Sequence, residues 1–231
     1  MSDLQYYRPG LFPPAVKNLL IINSIIFLAQ VTFNDHTGTI ENLFALHDIH
    51  SIFFKPYQLV TYMFMHGSIE HLLSNMFALW MFGALLENHW GSKRFLLFYI
   101  ACGLGAAVLH LLVLYLEMEP IMQLFRALPA EQQQYYIDSP RFKINVPTLG
   151  ASGSVFGCLA AFGYLFPNMI VFFGLPMKAK WLVLIYAVME LFLGIQNSAG
   201  DNIAHFAHLG GGIAGFLIVL AWNKTNRKTL Y

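Results

Sequence analysis

Residues 203–222 read Ile-Ala-His-Phe-Ala-His-Leu-Gly-Gly-Gly-Ile-Ala-Gly-Phe-Leu-Ile-Val-Leu-Ala-Trp, with no Asp, Glu, Lys or Arg among them. A helix of that length crosses about 30 Å of hydrocarbon. Its two imidazoles, His205 and His208, are costly in lipid, and polar side chains at such positions usually mark function. Upstream, five more apolar stretches read as spans: Ala15 to Phe33, Ile69 to Trp90, Phe95 to Leu116, Ser152 to Phe166 and Trp181 to Ile195. All six are expected to be helices, because an open sheet edge cannot be satisfied in lipid.

Composition agrees. The chain is 57% apolar and 11% charged, where a soluble domain carries about a quarter charged residues. The expected fold is all-α, a polytopic membrane bundle forming a single domain over residues 1–231. It has a short N-terminus at 1–14, an outer loop at 34–65, an outer insertion at 117–147 and a C-terminus at 223–231. A net charge of +1 gives no electrostatic case for nucleic acid. Cys102 and Cys158 fall inside apolar runs and read as small buried side chains. The first apolar run is too long for a cleaved signal and lacks a small-residue cleavage site, so it reads as a span.

With both termini in the cytoplasm, the inner side holds Arg8, Lys17, Lys93, Arg94, Lys178, Lys180, Lys224, Arg227 and Lys228, nine of the thirteen basic residues. Lys55, Arg126, Arg141 and Lys143 remain outside. This asymmetry fits an even number of spans. The short ends suit a bacterial inner membrane.

Polar residues inside the spans share a depth. Asn75 lies 15 residues before Trp90, Ser152 14 before Phe166 and His208 14 before Trp222, each about 21–22 Å of helical rise from the inner end. His71 stands one turn above Asn75 on the same face. The fourth span has only 15 residues before Pro167, so its N-terminus begins below the outer surface, with Ser152 at the positive end of the helix dipole. Gly153 and Gly157, and again Gly211 and Gly215, are spaced as G-x-x-x-G and let helices approach closely.

Gly150-Ala-Ser152-Gly153 resembles the G-x-S-G nucleophile motif of the rhomboid family of intramembrane serine proteases. Ala207-His208-Leu-Gly-Gly211-Gly-Ile-Ala-Gly215 is similar to that family's A-H-x-x-G-x-x-x-G, and His66-Gly-Ser-Ile-Glu-His71-Leu-Leu-Ser-Asn75 to its H-x-x-x-x-H-x-x-x-N. Glu87 falls where the family has a glutamate later in that helix. The ordered set on spans two, four and six is specific where each motif alone is weak. The resemblance implies a six-helix rhomboid-like bundle with Ser152 as nucleophile and His208 as general base. It also implies that His71, Asn75 and the Ser152 N–H stabilise the oxyanion. No carboxylate lies at the right depth in the sixth span and Asp201 is in the preceding loop, so the expectation is a Ser–His dyad without a third acid. Where the family often has Trp-Arg in the first outer loop, this chain has Tyr57-Gln58. Phe156 stands where tyrosine is common, and a ring packing beneath His208 needs no hydroxyl.

Taken singly, Ser152 and His208 would read as packing or interhelical hydrogen-bonding groups, and His71 and Asn75 as interhelical contacts. Shared depth and ordered motifs reverse that. Ser74 and Ser154 read as packing, and His66 and His205 as structural. The expected activity is cleavage of single-span membrane proteins within the lipid bilayer, with no cofactor. The alternative is a catalytically silent rhomboid-like protein that binds client helices, a relative expected to lack the serine or histidine. A third reading makes His66, His71, His205 and His208 a zinc site or ion pathway, disfavoured because the two pairs differ in height and no H-E-x-x-H is present. A soluble α/β-hydrolase is excluded: Ser154 replaces the second glycine of G-x-S-x-G, and no strand precedes the serine.

Overall fold

Pro14 opens α1 (Pro14–Thr32), where a missing N–H removes only a donor the helix leaves unpaired. This computed structural model describes residues 10–33, 38–137, 139, 142–196 and 204–226. Arg8, Arg141, Asp201, Ile203, Arg227 and Lys228, named above, lie outside the described residues. Glu87, buried, takes up two of the free donors at the start of α1. Its Oε1 accepts from the Ala15 N–H at 2.8 Å and its Oε2 from the Val16 N–H at 2.7 Å. The carboxylate thus sits at the positive end of the α1 dipole.

After α2 (Thr39–Phe44) and α3 (Gln58–Thr61), the second span is built of α4 (Ile69–Ala78), a π-helical turn at Leu79–Gly83 and α5 (Ala84–Trp90). Ser68 caps α4 by accepting from the His71 N–H at 3.1 Å. The π turn was not expected. It packs where a Cβ on Gly83 would press on Leu79, Phe95 and Val16, and such turns are frequent near functional sites.

α6 (Ser92–Arg126) is 35 residues long, about 52 Å at the helical rise. It therefore runs past the Leu116 boundary, and the first part of the expected insertion is helix. Hydropathy falls at Glu117, but Met118 and Met122 are buried against Ile144, which holds the helix beyond the apolar stretch. Glu117 also pairs with Lys143 at 2.8 Å. α7 (Ala130–Ile137) and a 3-10 turn at Lys143–Asn145 lie further along the insertion.

α8 (Ser152–Leu165) is short, as its sequence predicts. A two-stranded antiparallel hairpin that the sequence reading did not anticipate follows, β1 (Ile170–Phe173) and β2 (Leu175–Lys178), turning at Gly174 with φ +77°. Then come α9 (Ala179–Gln196) and α10 (His205–Asn226). Among the described residues, five helical segments are long and apolar enough to cross a membrane, and α8 is a sixth, shorter apolar one, which matches the expected six.

α8 is sandwiched between α6 and α10. A Cβ on Gly211 would overlap the Gly153 carbonyl, and one on Gly215 would come 2.7 Å from the Gly157 carbonyl, so the two G-x-x-x-G faces lie backbone to backbone. Gly153 and Gly157 also face Ala106 and Cys102 of α6, which leave no room for a methyl group. Trp90, Phe98 and Trp222 cluster edge-on and tilted at the opposite end, with the Arg94 guanidinium 4.1 Å above Trp222.

Candidate active site

Gly150 makes the turn into α8. Its φ of +135° is reserved for glycine, and a Cβ there would lie 2.9 Å from Nε2 and Cε1 of His71. Its N–H donates to the Tyr62 carbonyl at 3.0 Å, and just upstream Thr148 and Leu46 exchange backbone hydrogen bonds at 2.7 and 2.8 Å. The outer loop thereby holds the approach to Ser152. Gln58 holds that loop in turn. Fully buried, its Nε2 donates to the carbonyls of Asn42, Leu43 and Phe53, and its Oε1 accepts from the backbone N–H groups of His47 and Lys55. The position where the family often has arginine is filled by an amide that anchors by itself.

Ser152 Oγ stands 2.8 Å from His208 Nε2. The Phe156 ring is stacked on the His208 imidazole, 4.4 Å between centroids and 3° between planes. Both open onto a cavity of about 720 Å³ that His71 and Asn75 also line, walled by α4 on one side and Tyr186 of α9 on the other. His71 Nδ1 accepts from the Gly67 N–H at 3.4 Å, which leaves the ring proton on Nε2, the nitrogen that faces Gly150. Asn75 commits one amide N–H to the His71 carbonyl at 3.0 Å. Ser74 likewise bonds back to that carbonyl, and Ser154 is buried with its hydroxyl on Met63 sulfur, so both are packing groups.

The four histidines do not converge. The His66 and His71 rings meet edge to face at 5.1 Å, whereas His205 and His208 converge on Glu190. Glu190 Oε2 lies 2.6 Å from His205 Nδ1 and 3.0 Å from His208 Nδ1. The shorter contact is a hydrogen bond. The longer fails the hydrogen-bond geometry, so the carboxylate lies beside Nδ1 without an in-line bond. A carboxylate that the depth argument along the sixth span did not consider, Glu190 of α9, lies beside His208. Depth along the sixth span could not reveal it. The available signal was an acid inside an otherwise apolar fifth span.

The family model for the rhomboid domain matches residues 54–224. This chain belongs to the rhomboid family. Rhomboids include serine intramembrane proteases, and this one is a multi-pass integral membrane protein. It is 30% identical over 165 residues to Rhomboid protease GluP of Bacillus subtilis (strain 168), covering 71% of this chain and 26% of that protein. It is 29% identical over 218 residues to Rhomboid-like protein 11, chloroplastic, of Arabidopsis thaliana, covering 88% and 63%. With Rhomboid protein 1, mitochondrial, of Saccharomyces cerevisiae it shares 30% over 156 residues, 67% and 38%. The rhomboid chain thus spans only 26% to 63% of the length of these relatives. Relatives named for chloroplasts and mitochondria give no support to a bacterial inner membrane in particular.

Proposed function

We propose that this rhomboid is a serine endopeptidase that hydrolyses peptide bonds in or near the transmembrane segments of single-span proteins. The observation that carries the reading is the 2.8 Å contact between Ser152 Oγ and His208 Nε2 inside a cavity that could hold an unwound segment of substrate. An alcohol is a weak nucleophile until a base takes its proton. His208 Nε2 accepts that proton as Oγ bonds to the scissile carbonyl carbon. The carbonyl electron pair moves to oxygen, where His71 Nε2–H, the free Asn75 N–H and the Ser152 N–H at the start of α8 would donate to it. One such donor is worth about 3–4 kcal/mol in the transition state. Nε2 then returns the proton to the leaving amine, and water drawn through the cavity releases the acyl-enzyme by the same steps. The basic ends would face the cytoplasm or its organellar equivalent.

The test is cleavage of a model single-span substrate in liposomes by the native chain, Ser152→Ala and His208→Ala. Both variants are expected to be inactive and to lose labelling by a fluorophosphonate; cleavage surviving Ser152→Ala would falsify the mechanism. A silent client-binding protein would need neither residue in this geometry. A metal reading retains one observation, the Glu190, His205 and His208 ligand atoms lying within 4.8 Å of one another. Contacts of 2.6 and 3.0 Å are shorter than the roughly 3.3 Å between ligands around tetrahedral zinc. A chelator is accordingly expected to leave cleavage unchanged.

A further inference from the structure

We propose that Glu190 is the positioning residue for His208, clasped in place by His205, so that the carboxylate on α9 sets the tautomer and orientation of the base on α10. The proposal rests on the dyad reading above. Glu190 is only 6% exposed, and among the described residues no lysine or arginine pairs with it. A buried carboxylate demands donors, and the side-chain nitrogens beside this one are His205 Nδ1 and His208 Nδ1. A neutral imidazole carries one N–H. A lone pair on His208 Nδ1 would be repelled by the carboxylate 3.0 Å away, so Nδ1 carries the proton and Nε2 the lone pair, and Nε2 is the atom 2.8 Å from Ser152 Oγ. The arrangement selects the tautomer a base must have.

The two contacts differ in kind, which divides the roles. The in-line 2.6 Å bond to His205 fixes the carboxylate. The off-line 3.0 Å contact sets the carboxylate beside Nδ1 without an in-line bond, and the Phe156 stack holds the plane of the His208 ring. When Nε2 takes the serine proton, the imidazolium charge forms beside an anion already in place. Glu190 stays ionised throughout, as the acid of a serine triad does. Gly194, one turn on, allows the close approach of α9 to α10: a Cβ there would crowd His205 and Phe206 at 3.1–3.3 Å. Among the described residues, the other titratable groups nearby are Tyr186, one turn away on α9, His71 on α4 and His110 on α6, with Glu117 and Lys143 lining a second cavity beside His205.

The experiment measures kcat and KM against pH for a fluorogenic transmembrane peptide in detergent. Glu190→Gln, isosteric but uncharged, is expected to lower kcat on the order of 10²- to 10⁴-fold with little change in KM. The acid limb of the profile should move to lower pH by about one unit, because a base without its anion protonates less readily. Glu190→Asp keeps the charge on a shorter stem and is expected to recover part of kcat and the native acid limb. Should Glu190→Gln misfold, His205→Leu, which removes the hydrogen bond to Glu190 and leaves its carboxylate, is expected to depress kcat as well. Native kcat and an unmoved acid limb in a folded Glu190→Gln, with Ser152→Ala inactive, would overturn the positioning role and leave the dyad standing. Activity in Ser152→Ala would instead remove the dyad itself.

Discussion

The ring of Phe156 lies parallel to the imidazole of His208, and Tyr186 meets Phe156 edge-on at 6.2 Å. The base is thus held by a face and not by a hydroxyl. Stacked pairs contribute about 0.5–1.5 kcal/mol beyond area burial. Phe156→Ala is therefore expected to lower kcat up to about tenfold as His208 gains rotational freedom. Phe156→Tyr should remain near native, because the ring plane is kept. Steady-state cleavage of a transmembrane peptide by the two variants checks both.

Three consecutive glycines, 210 to 212, separate packing from permissiveness. A Cβ on Gly211 would fall on the Gly153 backbone, which cannot move aside as a side chain can, whereas one on Gly212 meets nothing closer than the Phe156 carbonyl at 3.9 Å. Gly211→Ala is expected to destabilise the bundle by about 3 kcal/mol or more and to separate Ser152 from His208. Gly212→Ala should be silent. Thermal unfolding in detergent, read by tryptophan fluorescence, distinguishes them.

The shared depth of Asn75, Ser152 and His208 was legible because helical rise is constant, so counting residues measures height. Contact between Gly153 and Gly211 was legible for a related reason: small residues one turn apart declare where backbones meet. Glu190 escaped because its height depends on where α9 starts and how it leans against α10, and neither is written along one span. The end of α6 escaped because hydropathy tracks lipid, while Met118 and Met122 pack on Ile144 outside it. The hairpin was readable in principle, since Ile170 to Leu175 is β-branched and aromatic with a glycine at the turn. The π turn at Leu79–Gly83 has no signature in these residues.

Gln58 ties three carbonyls and two N–H groups of the outer loop to one side chain, and that loop pairs through Leu46 with Thr148. Gln58→Met keeps the volume and removes every one of those bonds. Buried backbone groups left unpaired cost about 1–3 kcal/mol each. The variant should keep its spans but lose protection at Leu46 and Thr148 in amide hydrogen exchange, with cleavage reduced. Unchanged exchange there would mean the loop is held by something other than Gln58.

His66 lies outside the spans, buried, with neither ring nitrogen hydrogen-bonded among the described residues. Burial, and then the neighbouring His71, pulls its pKa down from 6.5 to about 4. The unfolded chain therefore takes up a proton as pH falls through 6.5 while the folded chain does not. Stability from this site is fully present above 6.5 and declines until pH 4, where the folded ring also protonates. At about 1.4 kcal/mol per pH unit the loss across that window is on the order of 3 kcal/mol. His66→Phe preserves a buried ring and cannot titrate. Its midpoint of thermal unfolding in detergent is expected to fall less steeply between pH 6.5 and 4 than that of the native chain, and equal slopes would show that another group governs the acid limb of stability.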